Sequence, residues 1–120
     1  MPVLEKDGKK MPQLPAIMRF LGREYGYYPE EPHSAYLIDS ALDGMDDLVT
    51  KFFRAGSTKE EEAKKAALGE FMGYFDGWLT IYEKRKEANG SSKYLVGEKM
   101  TILDVNMLSF VYAFILNEAN

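Results

Sequence analysis

The segment that most restricts the fold is a run near the C-terminus in which apolar residues cover almost every side of a predicted helix. Thr101 and Asp104 have the spacing of a capping box, and Met100 with Val105 has that of a hydrophobic staple, so a helix is predicted to begin after Thr101. As far as about Asn117 its residues are largely apolar: Leu103, Val105, Met107, Leu108, Phe110, Val111, Ala113, Phe114, Ile115 and Leu116. Such a helix must be surrounded by other elements. The sequence therefore predicts a helical bundle.

Two amphipathic helices are predicted upstream of this one. The first spans about His33 to Arg54, with Gly56 as its end and one apolar face formed by Ile38, Ala41, Leu42, Met45, Leu48, Val49 and Phe52. The second is predicted to open on a capping box of Thr58 and Glu61 and to run to about Ala88. Its residues Gly69, Gly73 and Gly77 recur every four positions, which indicates close approach of another helix or mere tolerance of glycine.

The first 26 residues have a different pattern. Two short strand candidates flank the turn pair Asp7-Gly8, and Pro15 suits the first turn of a helix that Gly26 ends. Residues 27–32 are a linker. We therefore expect a mainly α fold, with one hairpin packed on a first helix and a bundle beyond.

Composition excludes several classes of function. The net charge of −4 and pI near 5.0 give no basic surface for nucleic acid or an anionic membrane. The absence of cysteine and the single histidine, His33, leave no thiolate metal site, cysteine nucleophile or catalytic triad. No apolar run reaches the roughly 20 residues of a membrane span, and residues 1–10 do not resemble a signal peptide, so a cytoplasmic protein is expected.

The predicted elements are not sufficient to cover one another. A lone two-stranded hairpin is marginal in water, and the apolar last helix needs neighbours on every face. We therefore expect strands and helices from outside these residues to complete the fold. If none does, the chain has no stable fold of its own, or it self-associates as a dimer or larger species.

Three sequence motifs in order resemble the cytosolic glutathione transferase family, with the acidic helix nearest to its sigma-like class. They are Met1-Pro2-Val3-Leu4-Glu5 with Asp7-Gly8, then residues 13–21 (QLPAIMRFL), then Tyr94-Leu95-Val96-Gly97 before the Thr101 box. The resemblance implies that residues 1–26 are the C-terminal part of a thioredoxin-like glutathione-binding domain. It also implies that residues 33–120 are the all-helical domain, incomplete at its C-terminus, and that the first strand–helix–strand unit is missing.

The resemblance also assigns glutathione contacts. Met1 and Pro2 match the family's cis-proline strand, whose backbone pairs with the cysteinyl unit, and Gln13 matches a contact to the γ-glutamyl group. Asp47 matches a carboxylate that reaches the γ-glutamyl amine bound in the neighbouring subunit. Leu14 stands where the family usually has a serine, and the family's catalytic hydroxyl lies before anything present in this chain.

The acidic stripe of the second predicted helix has two interpretations. Asp39, Asp43, Asp46 and Asp47 lie opposite its apolar face, where like charges at i,i+4 destabilise a helix unless a cation offsets them. The stripe is either a solvated face or a cation site for an ammonium, a partner's arginine or a weakly held divalent ion on Asp43, Asp46 and Asp47. At the end of this helix, Phe53 and Arg54 would line the substrate cleft if the family geometry holds.

The expected function is glutathione conjugation or reduction of small electrophiles, in detoxification, by a homodimer with glutathione as co-substrate. No catalytic residue is assigned within this chain, so whether the chain by itself is an enzyme stays open. The alternative is a non-catalytic transferase-like module for dimerisation or docking, which Leu14 and the missing hydroxyl favour.

Overall fold

A computed structural model describes residues 2–90 and 92–115 of the 120-residue chain. Its elements are β1 (Val3–Lys6), β2 (Lys9–Pro12), α1 (Leu14–Tyr25), α2 (Pro32–Ser57), α3 (Glu61–Ala88), α4 (Ile102–Phe110) and a π-helical turn (Val111–Ile115) that continues α4. The predicted role of Met1 and the predicted helix end near Asn117 lie outside the described residues. The mainly α fold with one hairpin is confirmed.

The hairpin and α1 form as the sequence predicts. Antiparallel pairing joins Leu4 with Met11 and Lys6 with Lys9, and the turn uses positive φ angles of 51° at Asp7 and 71° at Gly8. Lys6 forms an ion pair with Glu24 of α1, which ties the hairpin to the helix. Gly26 ends α1 in the left-handed conformation, with φ of 79°.

The boundary between α2 and α3 differs from the predicted one. Helix α2 passes through Gly56 and ends at Ser57. Thr58 does not cap α3, because its hydroxyl donates to the carbonyl of Arg54 (2.8 Å) and so closes the C-terminal end of α2. Glu60 is the N-cap of α3, and its carboxylate accepts from the amides of Glu62 and Ala63 (3.3 and 2.8 Å). The capping box predicted at Thr58 is therefore wrong.

The core lies between α2, α3 and α4. The predicted apolar face of α2 supplies Ile38, Leu42, Met45 and Leu48, and it packs with the aromatic rings of α3 and with the first turn and end of α4. The buried members from those two helices are Trp78, Tyr82, Ile102, Leu103 and Phe110. The periodicity of α2 thus identified the core face correctly.

Close helix approach occurs at Gly22 rather than at the predicted glycine stripe. A Cβ on Gly22 would lie 2.7 Å from Cγ2 of Ile102, so α1 meets the start of α4 there. A Cβ on Gly69, Gly73 or Gly77 would have nothing within 4 Å in the described part of the chain. Within that part, the stripe meets no other helix.

Helix α4 begins as predicted and is covered on one side. Its N-cap is Thr101, with the reciprocal bonds of a capping box to Leu103 and Asp104. Beyond it, Val105, Leu108 and Tyr112 are 48%, 70% and 73% exposed. Residues 2–90 and 92–115 therefore leave part of α4 uncovered, as expected from its apolar sequence. No helix within those residues is long and apolar enough to cross a membrane.

Candidate functional site

The candidate site is the open end of the hairpin, where α1 begins. Val3 pairs with Pro12, so Pro2 before β1 and Gln13 after β2 lie at the same end of the hairpin. Both are exposed. Two of the predicted glutathione contacts are therefore brought together by the strand register, while Met1 lies outside the described residues.

Gln13 has a strained backbone at this site. Its φ of 78° and ψ of 105° place a side-chain-bearing residue in a region that favours glycine. Outliers of this kind cost about 1–3 kcal/mol and concentrate at ligand sites. The carbonyl of Gln13 accepts the first helical bond from the amide of Ile17 (2.9 Å), so the strain sets the angle at which α1 leaves the hairpin.

The start of α1 has no side-chain cap. Gln13 makes no side-chain capping bond, and the first turn contains no acidic residue. The first N–H groups of any α-helix lack intrahelical acceptors and carry the positive end of the helix dipole. N–H groups left free in this way can donate hydrogen bonds to a carboxylate, which is the chemistry expected for a γ-glutamyl group.

An apolar cavity of about 260 Å³ adjoins the same helix start. Leu14 and Pro15 form its wall on α1, and Asp46 and Asn106 are its polar residues on α2 and α4. Its remaining lining is apolar except for Ser109: Met18, Leu42, Met45, Val49 and Phe110. A small apolar molecule would fit beside the exposed amides of α1.

The acidic stripe of α2 holds an arginine of the same chain. The Arg19 guanidinium donates from Nε to Oδ1 of Asp39 (2.7 Å), and Nη2 lies 3.5 Å from Oδ1 of Asp43. The Tyr28 hydroxyl donates to the other Asp39 oxygen (2.8 Å). Sequence reasoning missed Arg19 as the cation, although the like-charge spacing of Asp39 and Asp43 is a signal that one is needed.

The pKa values of this network follow from its contacts. The hydrogen bond to Asp39 raises the pKa of the Arg19 guanidinium. Burial, and then the bond to Asp39, raises the pKa of the Tyr28 hydroxyl. Both groups therefore keep their protons at neutral pH, and the network joins α1 to α2 rather than transferring protons.

The divalent-cation site predicted on Asp43, Asp46 and Asp47 is not supported. Among the described residues, no group of three or more acidic or histidine side chains is arranged to hold a metal ion. Asp43 faces Arg19, Asp46 lines the cavity, and Asp47 is exposed. The stripe is thus divided between an internal ion pair and open surface.

The predicted cleft residues lie further along α2. Phe53 is 60% exposed and packs edge-on to Phe52, and it falls one turn beyond Val49 of the cavity wall. Arg54 is exposed, and its carbonyl accepts from Ser57 and Thr58. Neither residue lines the cavity, but Phe53 shares its side of the helix by i,i+4 spacing.

Comparison with known proteins identifies relatives that match most of the chain. A family model described as the C-terminal domain of glutathione S-transferase matches residues 43–119. Glutathione S-transferase A of Cavia porcellus is 30% identical over 113 residues, which cover 92% of this chain and 50% of that protein. Glutathione S-transferase 1 of Ascaris suum is 33% identical over 109 residues, covering 88% and 52%.

Solved structures show the same similarity. The monomeric Na-GST-3, a glutathione S-transferase of Necator americanus, superimposes with a TM-score of 0.80 at 27% identity over 99% of this chain and 60% of that one. The chain thus spans about half the length of the curated relatives it matches.

Proposed function

Since this chain belongs to the glutathione S-transferase family, we propose that it supplies part of the glutathione site of an enzyme that conjugates glutathione to small electrophiles or uses it to reduce them. The observation that carries the proposal is the start of α1, where a strained Gln13 leads into an uncapped, exposed helix end. A site whose own chain leaves the amides free is suited to a ligand's carboxylate.

Each predicted glutathione residue has a distinct role in this proposal. Gln13 and the first amides of α1 hold the γ-glutamyl group, and the backbone of Met1 and Pro2 is proposed to pair with the cysteinyl unit by strand addition. Leu14 is 50% exposed at this position and has no hydroxyl to donate, which removes one bond to the same carboxylate. We therefore expect weak binding by these residues alone.

Asp47 is proposed to act across a dimer. It is exposed on α2, two residues before the cavity-lining Val49, so its carboxylate is free to meet the γ-glutamyl ammonium bound by a neighbouring subunit. The apolar surface left on α4 favours self-association, because a monomer seldom keeps so large an apolar face in water.

The electrophile is proposed to lie along α2. The cavity beside Leu14 accepts its apolar part. Phe53, one turn beyond Val49 on the same side of α2, and the neighbouring Arg54 meet the other end of the electrophile. Closeness to the tripeptide would place an electrophilic carbon near the cysteinyl sulfur, which is the nucleophile as a thiolate.

The division into domains and the parts of the protein outside this chain are also proposed from the family pattern. Residues 1–26 form the end of the thioredoxin-like domain, and residues 33–120 belong to the helical domain. The catalytic hydroxyl, the first strand–helix–strand unit and the C-terminal helices are proposed to come from elsewhere in a protein about twice as long, of the sigma-like class and in the cytoplasm. The half-length coverage of the relatives supports this arrangement.

A titration followed by amide NMR shifts tests the tripeptide site. We expect glutathione to shift the amides of Gln13, Leu14 and Ala16, with a dissociation constant weaker than about 1 mM. Cysteinylglycine, which lacks the γ-glutamyl carboxylate, should shift them much less. Gln13→Ala should remove the response, whereas Lys10→Ala, on the adjacent exposed strand, should keep it.

The contrary results are equally specific. No shift at the start of α1 up to about 20 mM glutathione would contradict the proposed site. If the chain is then also dimeric by light scattering, the non-catalytic dimerisation module is the better account. Shifts centred on another helix would place the ligand elsewhere.

A further inference from the structure

A second cavity lies at the other end of α2, away from the hairpin. It has a volume of about 440 Å³ and is enclosed by the first turn of α2, the end of α3 and the loop after it. Its polar lining includes His33, Arg85 and Asn89, and its apolar lining includes Leu37, Leu95 and Val96. The volume falls within the range of small-molecule sites.

Hydrogen bonds within the chain hold the wall of this cavity that the loop forms. The Asn89 side chain donates to the carbonyls of Tyr94 and Gly97 (2.9 and 3.0 Å) and accepts from the amide of Gly97 (3.2 Å). The Ser92 hydroxyl also donates to the carbonyl of Gly97 (2.6 Å). Three hydrogen bonds from Asn89 therefore fix the loop against the end of α3, and the Ser92 bond closes the loop on itself.

Arg85 is a half-buried cation with weak partners. Its guanidinium donates to the carbonyl of Leu37 at 3.5 Å and to the hydroxyl of Ser40 at 3.3 Å, both near the outer limit of a hydrogen bond. The Cζ atom of Arg85 lies 5.6 Å from the centre of the Tyr82 ring. Among the described residues, no carboxylate lies within ion-pairing distance of it.

Two charged residues close to the cavity lining in sequence, Glu31 and Lys86, do not neutralise Arg85. The Glu31 carboxylate is bound by the amides of His33 and Ser34 (2.7 and 2.6 Å) at the start of α2. Lys86 donates to the carbonyl of Ser92 and adds positive charge nearby. A cation taken partly out of water without a counterion favours binding of an anion.

We propose that this cavity binds a small oxyanion that carries an apolar group, a carboxylate or a phosphate monoester. The planar guanidinium of Arg85 holds two oxygens of the anion with its free N–H groups, which matches the fork geometry of arginine. The apolar body lies against Leu95 and Val96. This site is independent of the proposed glutathione site, because it shares no lining residue with the cavity at α1.

Benzoate and phenyl phosphate are the probes that test the proposal, with benzyl alcohol as the neutral control. Both anions should shift the amides of residues 95–97 and saturate, and benzyl alcohol should not. Arg85→Gln should weaken binding at least about tenfold, since one charge-assisted contact accounts for most of the affinity. Lys84→Gln, an exposed neighbour on α3, should change the affinity less than about twofold.

A filling variant keeps the test decisive if Arg85→Gln does not fold. Ala88→Met adds bulk at the exposed end of α3, where Ala88 lines the cavity, and should block the probes while Arg85 stays in place. Absence of saturation, equal binding of benzyl alcohol, or undiminished binding by a folded Arg85→Gln or Ala88→Met variant would overturn the proposal. Preference between the two anions separates carboxylate from phosphate ligands.

Discussion

The first N–H groups of α1 and of α4 both lack acceptors within their helix, and the chain caps only those of α4 with side chains. At α4 the chain satisfies its own amides, because Asp104 accepts from the amide and hydroxyl of Thr101 (2.8 and 2.9 Å) and from the amide of Leu95 (2.9 Å). At α1 the entry residue Gln13 is strained and gives no side-chain cap. Thr101 is buried, whereas Gln13 is exposed.

This difference in capping suggests a structural role for the start of α4 and a ligand-binding role for the start of α1. A helix start that is buried must have its donors bonded within the chain, since an unpaired buried amide is costly. A helix start that faces water can leave them free, and its stability is then lower than an ideal sequence would give. The two ends predict opposite responses to mutation.

The largest effect is expected at Asp104. Asp104→Ala removes three hydrogen bonds and leaves the amides of Leu95 and Thr101 without their acceptor, so it should lower the free energy of unfolding by about 2–4 kcal/mol. Denaturant unfolding measures this. Glu98→Ala in the same loop removes an exposed carboxylate and should cost less than about 0.5 kcal/mol. Equal losses in the two variants would show that the box is not the source of stability.

A smaller loss is expected at Thr101. Thr101→Ala removes the side-chain acceptor for the amide of Leu103 (3.3 Å) and should cost on the order of 1 kcal/mol, while Thr101→Ser keeps the hydroxyl and should recover most of it. An unmoved unfolding midpoint in Thr101→Ala would mean that the α4 cap contributes no stability.

The opposite sign is expected at Gln13. Gln13→Gly removes the strain of a positive φ angle, because glycine adopts that angle without strain. The greater conformational entropy that glycine loses on folding offsets part of this gain, so the free energy of unfolding should rise by about 1 kcal/mol. The same variant should lose the glutathione response, because the side-chain amide is gone. A loss of stability would show that the strain attributed to Gln13 is absent.

The smallest effect is a pH dependence at the start of α2. This helix start is exposed like that of α1 but has a side-chain cap like that of α4. Bonds from the amide of His33 and from Ser34 lower the pKa of the exposed Glu31 carboxyl. A carboxyl whose pKa is lowered on folding stabilises the folded state above its unfolded pKa of about 4.3, and this stabilisation is lost as the pH falls through the folded pKa. Glu31→Gln should therefore flatten the acid side of the plot of unfolding free energy against pH, which denaturant unfolding at a series of pH values measures.

Local patterns in the sequence predicted what local interactions decide. The Thr101–Asp104 box, the Asp7-Gly8 turn and the Gly26 stop depend on neighbours in the chain, and all three were predicted correctly. The Thr58 box failed although its spacing is right, because the Thr58 hydroxyl bonds back to Arg54 and Glu60 caps α3 instead. Residue spacing cannot choose between two competing caps.

Tertiary contacts were beyond the sequence patterns. The pairing of Arg19 with Asp39 spans 20 positions, and the approach of Gly22 to Ile102 depends on how α1 crosses α4. The register of the hairpin, by contrast, follows from its two-residue turn and brings Pro2 and Gln13 together. The part of the candidate site built by the hairpin was therefore predictable, while the cavities beside it were not.

Amide hydrogen exchange at the two helix starts tests the central claim most directly. Without ligand, the amides of Thr101 and Leu103 should exchange slowly, and those of Leu14 and Ala16 should exchange close to the rate of an unfolded chain. At a glutathione concentration about ten times its dissociation constant, exchange at Leu14 and Ala16 should slow about tenfold, with the α4 amides unchanged. Slow exchange at Leu14 and Ala16 without ligand, or no slowing when glutathione is added, would contradict the assignment of this helix start to ligand binding.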